Sequence, residues 1–248
     1  MIDLIRAELL KIRATRSTWY LGVSAVLFCA GWAALSALVF LGSAAQETMS
    51  AEQEITNVYQ MAQMAFPFTL LLGLVGMSGE YRYQTITWSF LVSPRRDHVV
   101  IAKLLAYGVL GLIVGVVCAV TTAAASALFL SVRGSAVVAP AVPLVLLGAV
   151  ASSLLFAVLG VAIGALIRNQ AVAIALSLTW FFYMEYALIA FFPEYARWLP
   201  GGAAKAVSGM HLSTGELLPA WAGGLLFIGY TLLAATFASR TTLRRDVT

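Results

Sequence analysis

The chain has 248 residues, 61% of them hydrophobic and only 10% charged. Soluble domains carry about 25% charged residues, so a soluble fold could not keep this much apolar surface from water, and the bilayer is the natural solvent. The formal net charge is +4, and its distribution along the chain says more than its total.

Residues 1–16, "MIDLIRAELLKIRATR", place Ile2, Ile5, Leu9 and Ile12 on one helical face, with Asp3, Arg6, Lys11 and Arg13 elsewhere on the wheel. The pattern predicts a helix lying in the cytoplasmic interface; the alternative is a plain cytosolic extension whose arginines serve only topology. Six apolar runs then reach the roughly 20 residues that a helix needs to cross the hydrocarbon core. They are Tyr20–Gly42, Val58–Met77, Leu104–Leu130, Val142–Ile167, Ala171–Phe192 and Leu218–Ala238. Only helices are expected, because no water satisfies an open backbone in lipid.

The first run is far longer than the roughly 7–15 apolar residues of a signal core, so it is expected to stay as a span. Cys29 and Cys118 fall inside apolar runs, and two isolated thiols predict free, buried cysteines. The second run contains Gln60, Gln63 and Pro67, which suggests burial against other helices or beside a cavity. Two GxxxG patterns, Gly111–Gly115 and Gly160–Gly164, allow close helix approach, and packing within the chain is preferred over a dimer seam.

Glu185 lies inside the fifth run, in "TWFFYMEYALIAFF". A carboxylate at the centre of a span costs about 2.5–3.5 kcal/mol on insertion scales, so it normally faces protein or water. Two readings stand side by side: a polar point on a translocation path or a titrating group, and a structural hydrogen bond to a neighbour such as a tyrosine. Gln60 and Gln63 join Glu185 as candidate path residues. Residues 193–217 form a long external segment, in which short half-helices dipping into the outer interface compete with a floppy loop. Trp198 and Trp221 would anchor at the headgroups there.

Twelve of the 15 Lys and Arg residues fall on one side of these spans: Arg6, Lys11, Arg13, Arg16, Arg82, Arg95, Arg96, Lys103, Arg168, Arg240, Arg244 and Arg245. The other side holds only Arg133, Arg197 and Lys205. The positive-inside rule therefore puts both termini in the cytoplasm.

Several chemistries are missing from the sequence. None of Lys11, Lys103 and Lys205 follows a glycine or precedes Ser or Thr, so there is no phosphate-binding P-loop and no ATP hydrolysis is expected of this chain. His98 and His211 are isolated, which predicts no metal site and no bound cofactor. The spans contain no Asp or His, so no catalytic residue of an intramembrane protease is expected.

The stretch from Ser78 to Val100, "SGEYRYQTITWSFLVSPRRDHVV", is more than a connector. Tyr81, Tyr83, Ile86, Trp88, Phe90 and Leu91 stand among polar residues, followed by Pro94 and "RRDH". Such a segment suits an amphipathic helix that docks on headgroups or on a protein partner. Trp88 and Phe90 are the candidate anchors.

With "LIRAELLKIRATRSTW" before the first span, "GEYRYQTITWSFLVSPRRDHVVIAKLLAY" between the second and third, and "RRDV" at the end, the chain resembles the membrane permeases of the type-two ABC exporter family. The small alanine-rich actinobacterial members are the nearest in style. The resemblance implies an all-α membrane protein: a single permease domain over residues 1–248, with six transmembrane helices, an N-terminal interfacial helix and a cytoplasmic coupling helix at residues 78–98. It also implies that Glu80, Arg82, Thr85, Pro94, Arg95 and Arg96 fall in the coupling region that meets the ATPase subunit. Gln84 departs from the family pattern, because relatives often have glycine before the threonine.

The expected function is the permease subunit of an ATP-driven exporter in the bacterial plasma membrane, moving an amphiphile such as an antibiotic, a peptide or a lipid. Its partners would be ABC ATPase subunits that carry ATP and Mg, a second permease half (the same chain or a sister), and the bilayer, with no nucleic acid. Other classes are a proton-coupled secondary transporter using Glu185, and a membrane scaffold or sensor without transport.

Overall fold

Helix α1 spans Ile2–Ala14 and turns at Thr15 into α2, Arg16–Leu35, which runs on through a π-helical turn at Ser36–Phe40. The computed structural model describes residues 2–40, 50–85, 96–132, 134, 136–167, 169–209 and 217–244. Helix α3, Ala51–Tyr59, starts with a capping box between Ser50 and Gln53. A 3-10 stretch, Gln60–Ala65, joins it to α4, Phe66–Arg82, and Pro67 sits in the first turn of α4, where no backbone N–H is needed. The second span therefore extends over Glu52–Arg82, well beyond the expected Val58–Met77 at both ends.

Helix α5 covers Arg96–Val132; its 37 residues make about 55 Å of helix, against a hydrocarbon core of about 30 Å. Helix α6 follows at Val142–Leu166. The fifth span is interrupted: α7, Gln170–Thr179, passes through a π-helical turn at Trp180–Met184 into α8, Glu185–Phe191. Two short helices, α9 at Pro193–Ala196 and α10 at Pro200–Val207, precede α11, Ala220–Arg244. Six of these helical stretches are long and apolar enough to cross a membrane, and no strand occurs among the described residues.

The chain alternates direction. One buried cluster joins Ile12, Met77, Ala106, Tyr107, Ala165 and Ala238, which brings the ends of α1, α4, α6 and α11 to the start of α5. At the opposite end Ile55, Tyr59, Leu130, Ala139 and Val142 pack together. In between, α6 is the central helix, with α4 on one side and α5 on the other. Its glycines explain the closeness. A Cβ on Gly160 would strike the Leu70 carbonyl of α4, and one on Gly111 of α5 would come within 2.8 Å of the Ser153 carbonyl of α6. Both GxxxG patterns thus serve packing within the chain.

The outer surface is lipid-like. Trp19, Tyr20, Val23 and Leu27 of α2 are exposed, whereas Ala25, Cys29 and Ala33 form its buried edge. Cys29 and Cys118 are free thiols in one buried cluster. Trp198 and Trp221 are exposed, as headgroup anchors would be. Residues 193–209 of the external segment are largely helical rather than irregular.

Helix α1 does not bury the stripe that its sequence presents. Ile12 is in the core, but Ile2 and Leu9 are exposed, and the second buried residue is Glu8. Ile5, Glu8 and Ile12 lie on one face by helical spacing, so a carboxylate occupies the middle of the docked edge.

Candidate functional site

The partners of Glu8 come from distant parts of the chain. Lys103 of α5 donates to Glu8 Oε2 at 2.6 Å, and Lys11, one turn along α1, donates to Glu8 Oε1 at 2.7 Å. Both ammonium groups also reach Glu80 Oε1 of α4, each at 3.0 Å. The four charges alternate in sign and cancel. Side-chain exposure is 2% for Lys103, 6% for Glu8, 10% for Glu80 and 49% for Lys11, so three of the four are removed from solvent. Breaking one partner out of such a buried arrangement typically costs about 3–5 kcal/mol, because the remaining charge is left uncompensated.

The length of α5 explains why the site can exist. A helix of that length exceeds the hydrocarbon thickness, which leaves turns to spare for a charged residue such as Lys103 near its start. Tyr107, one turn further, covers the cluster from the membrane side. Its ring lies against Gly76, where any Cβ would overlap it, and its centroid is 5.8 Å from Lys103 Nζ.

Burial by itself would push the Glu8 carboxyl up, but Lys103 and Lys11 outweigh that cost and hold it below the ordinary glutamate range. For Lys11, burial pulls down, and the Glu8 and Glu80 carboxylates overcome it and raise the ammonium above the ordinary lysine range.

Helix α4 ends within this site in a left-handed turn. Gln84 has φ +56, Thr85 N–H donates to the Glu80 carbonyl at 3.0 Å, and Gln84 N–H to the Tyr81 carbonyl at 3.3 Å. This is the double-bonded helix end that favours glycine at the left-handed position. Gln84 thus occupies a position whose backbone favours glycine. Arg82 leaves the cluster and donates to the Gln170 side chain at the start of α7, at 3.2 Å. Of the expected coupling residues, Glu80, Arg82 and Thr85 lie at this helix end, and Arg96 opens α5. Trp88, Phe90, Pro94 and Arg95 lie outside the described residues, as do Gly42, Arg133, Arg168, His211, Arg245 and residues 210–216 of the external segment.

The three candidate path residues meet at the other end of the molecule, around α10. Glu185 is buried, and its Oε1 accepts the backbone N–H of Gly201 at 2.5 Å and of Gly202 at 3.3 Å. These are first-turn amides of α10, where a carboxylate also faces the positive end of the helix dipole. Gln60 donates to the Gly209 carbonyl at 3.1 Å, while Ser208 donates to Gln63 Oε1 at 2.5 Å. One short helix is therefore held at its start by Glu185 and at its end by Gln60 and Gln63. The partner of Glu185 is backbone, not a tyrosine. Burial lowers the Lys205 ammonium below its ordinary range, and the Glu185 charge offsets part of that effect.

Sequence reasoning singled out Glu80 but missed the Glu8–Lys103 pair. The available signal was an acid on the apolar face of α1. Among the described residues no group of three or more His, Cys, Asp or Glu side chains is arranged to hold a metal ion.

Residues 4–184 match the family described as ABC-2 family transporter protein. The chain belongs to the ABC-2 transporter family. The matched region runs from α1 to the π-helical turn of the fifth span and so contains the whole charge cluster. Among curated proteins, none matches this chain. As an ABC-2 permease it is a multi-pass membrane component that does not itself hydrolyse ATP, and the family implies an ABC ATPase as its partner.

Proposed function

We propose that this ABC-2 permease exports an amphiphilic substrate, such as an antibiotic, a peptide or a lipid, across the bacterial plasma membrane. ATP and Mg are held by separate ATPase subunits. In this reading the α1 end of the molecule faces the cytoplasm, as the distribution of Lys and Arg requires. The permease works as a dimer of six-span halves, with itself or a sister chain, and substrate passes between the halves.

The observation that carries the reading is the four-charge cluster. Glu80 lies just before the segment between α4 and α5, and Lys103 lies just after it. Both are clamped to each other and to α1. A push on residues 83–95 would move α4, α5 and α1 together rather than deform a loose loop, which is what a chain powered from outside needs. Glu185 supports the transporter reading less directly: one of its carboxylate oxygens takes both α10 amides, which fits a structural anchor for that helix.

Truncating an aromatic anchor tests the coupling. Trp88→Ala or Phe90→Ala should weaken ATPase binding by about 2 kcal/mol, as loss of a buried interface aromatic does. The measurement is copurification of the ATPase with substrate-stimulated ATP hydrolysis in liposomes. Wild-type behaviour of both variants would place the coupling surface elsewhere.

A further inference from the structure

The docking of α1 on the spans leaves a second face of that helix uncovered. Ile2, Arg6, Leu9, Leu10 and Arg13 are all exposed, and helical spacing sets them along one side, away from Glu8 and Ile12. The apolar stripe of the sequence is thereby divided: Ile12 enters the core, while Ile2 and Leu9 stay outside among arginines. Such a mixture suits a lipid interface, where apolar side chains enter the acyl boundary and long cationic ones reach the headgroups.

The charge of this face is one-sided. Of the acids of α1, Glu8 is turned inward and held by Lys103 and Lys11, which leaves only Asp3 outside. Every ion pair among the described residues belongs to the four-charge cluster, so Arg6, Arg13 and, at the start of α2, Arg16 meet no carboxylate. All three are exposed. Burial of Glu8 therefore docks α1 and also removes a negative charge from the surface that carries these arginines.

The elbow fixes the level of the face. One residue, Thr15, separates α1 from α2, and Trp19 Nε1 donates to the Arg13 carbonyl at 3.0 Å. That bond ties the last turn of α1 to the first turn of the first span. Trp19 and Tyr20 are exposed beside the joint, and these are residue types that settle at headgroup level. A helix joined so closely to a span stays at the level where the span ends.

We propose that the outward face of α1 is a docking surface for a negatively charged phospholipid leaflet. Ile2, Leu9 and Leu10 enter the acyl boundary, and Arg6, Arg13 and Arg16 take the lipid phosphates. Zwitterionic lipid brings its own cation with each phosphate, so unpaired arginines select lipids of net negative charge. The inference requires the chain to span a bilayer, and it is independent of the substrate, the direction of transport and the ATPase.

The test is fluorescence quenching by brominated lipid, on the full chain in phosphatidylcholine vesicles. A fluorophore is attached at Leu10→Cys; Cys29 and Cys118 are fully buried and do not compete for the label. Brominated phosphatidylglycerol and brominated phosphatidylcholine are compared at the same fraction and with the same chains. One arginine near a charged surface is worth about fivefold, so phosphatidylglycerol should bind beside Leu10 at least about fivefold better at low salt. The preference should shrink at high salt.

Replacing Arg6, Arg13 and Arg16 together by Gln should abolish the preference and keep the quenching by phosphatidylcholine, since Ile2 and Leu9 remain. The same fluorophore at Leu232→Cys, an exposed position midway along α11, should be quenched equally by both lipids in either background. Quenching there also shows that the arginine variant is inserted. Absence of quenching by either lipid at Leu10 would mean that water or another protein covers the face, which overturns the proposal. Equal quenching by the two lipids at Leu10, an equal preference at Leu232, or a preference that survives loss of the arginines overturns it as well.

Discussion

Lys103 Nζ lies 2.6 Å from a carboxylate oxygen of Glu8, a residue 95 positions earlier in the chain. The pair docks the N-terminal helix on the start of the long third span, and Lys11 and Glu80 complete the balance of charge. Helix α1 is thereby packed and ion-paired against the spans α4 and α5.

Removing one member should expose that balance. Lys103→Met leaves two buried carboxylates facing one lysine and is expected to cost about 3–5 kcal/mol. Adding Glu8→Gln restores neutrality, so the double variant should be more stable than Lys103→Met alone. Thermal unfolding of the purified variants in detergent measures both. A double variant that loses the sum of the two single losses would show that the groups act independently.

The pH dependence of α1 docking has a definite sign. The Glu8 carboxyl is lowered from 4.5 on folding, so its contribution is present above 4.5 and is lost as pH falls through the lower folded value. The Lys11 ammonium is raised from 10.5, so its contribution is present below 10.5 and is lost as pH rises through the higher folded value. Docking should be flat between these limits and loosen beyond both. A spin-label pair on Arg6 and Ile101, read as distance against pH, follows it directly. Loosening near neutral pH would contradict the assignment.

At the other end, Glu185→Ala should free the start of α10. Losing a charge-assisted bond to buried amides is worth about 1.5–3 kcal/mol. Val207→Cys, introduced in the same helix, should then react faster with a water-soluble maleimide than it does with Glu185 present. Glu185→Gln keeps an acceptor oxygen and should fall between the two. Equal labelling in all three backgrounds would remove Glu185 from the support of α10.

Gly160 and Gly22 stand at opposite ends of the range of glycine surroundings. Gly160→Ala drives a Cβ into the Leu70 carbonyl and should prevent α4 and α6 from closing, seen as loss of folded protein. Gly22→Ala in α2 meets nothing within 4 Å and should stabilise by about 0.5–1 kcal/mol, through helix propensity alone. Comparable yields and melting temperatures for the two variants would show that the α4–α6 approach is not limiting.

By itself the sequence determined that this chain lives in a bilayer, that six of its runs are long and apolar enough to cross it, and that most basic residues gather at the same ends of those runs. These are sums over local segments. Lipid reads the apolar length of each run, and the membrane reads the basic residues beside it, without reference to which helix lies next to which. It also marked the glycines of α5 and α6 as sites of close approach, since a missing side chain is visible wherever it occurs. Only the tertiary structure decided what they approach, which carboxylate meets Lys103, that Glu185 holds the amides of α10, and that Gln60 and Gln63 hold the same helix from its other end. Each of these depends on two helices lying side by side in a particular rotation. That rotation is settled by packing among all the spans together, and α1 shows its consequence: the face it buries is centred on a glutamate, because a lysine waits opposite.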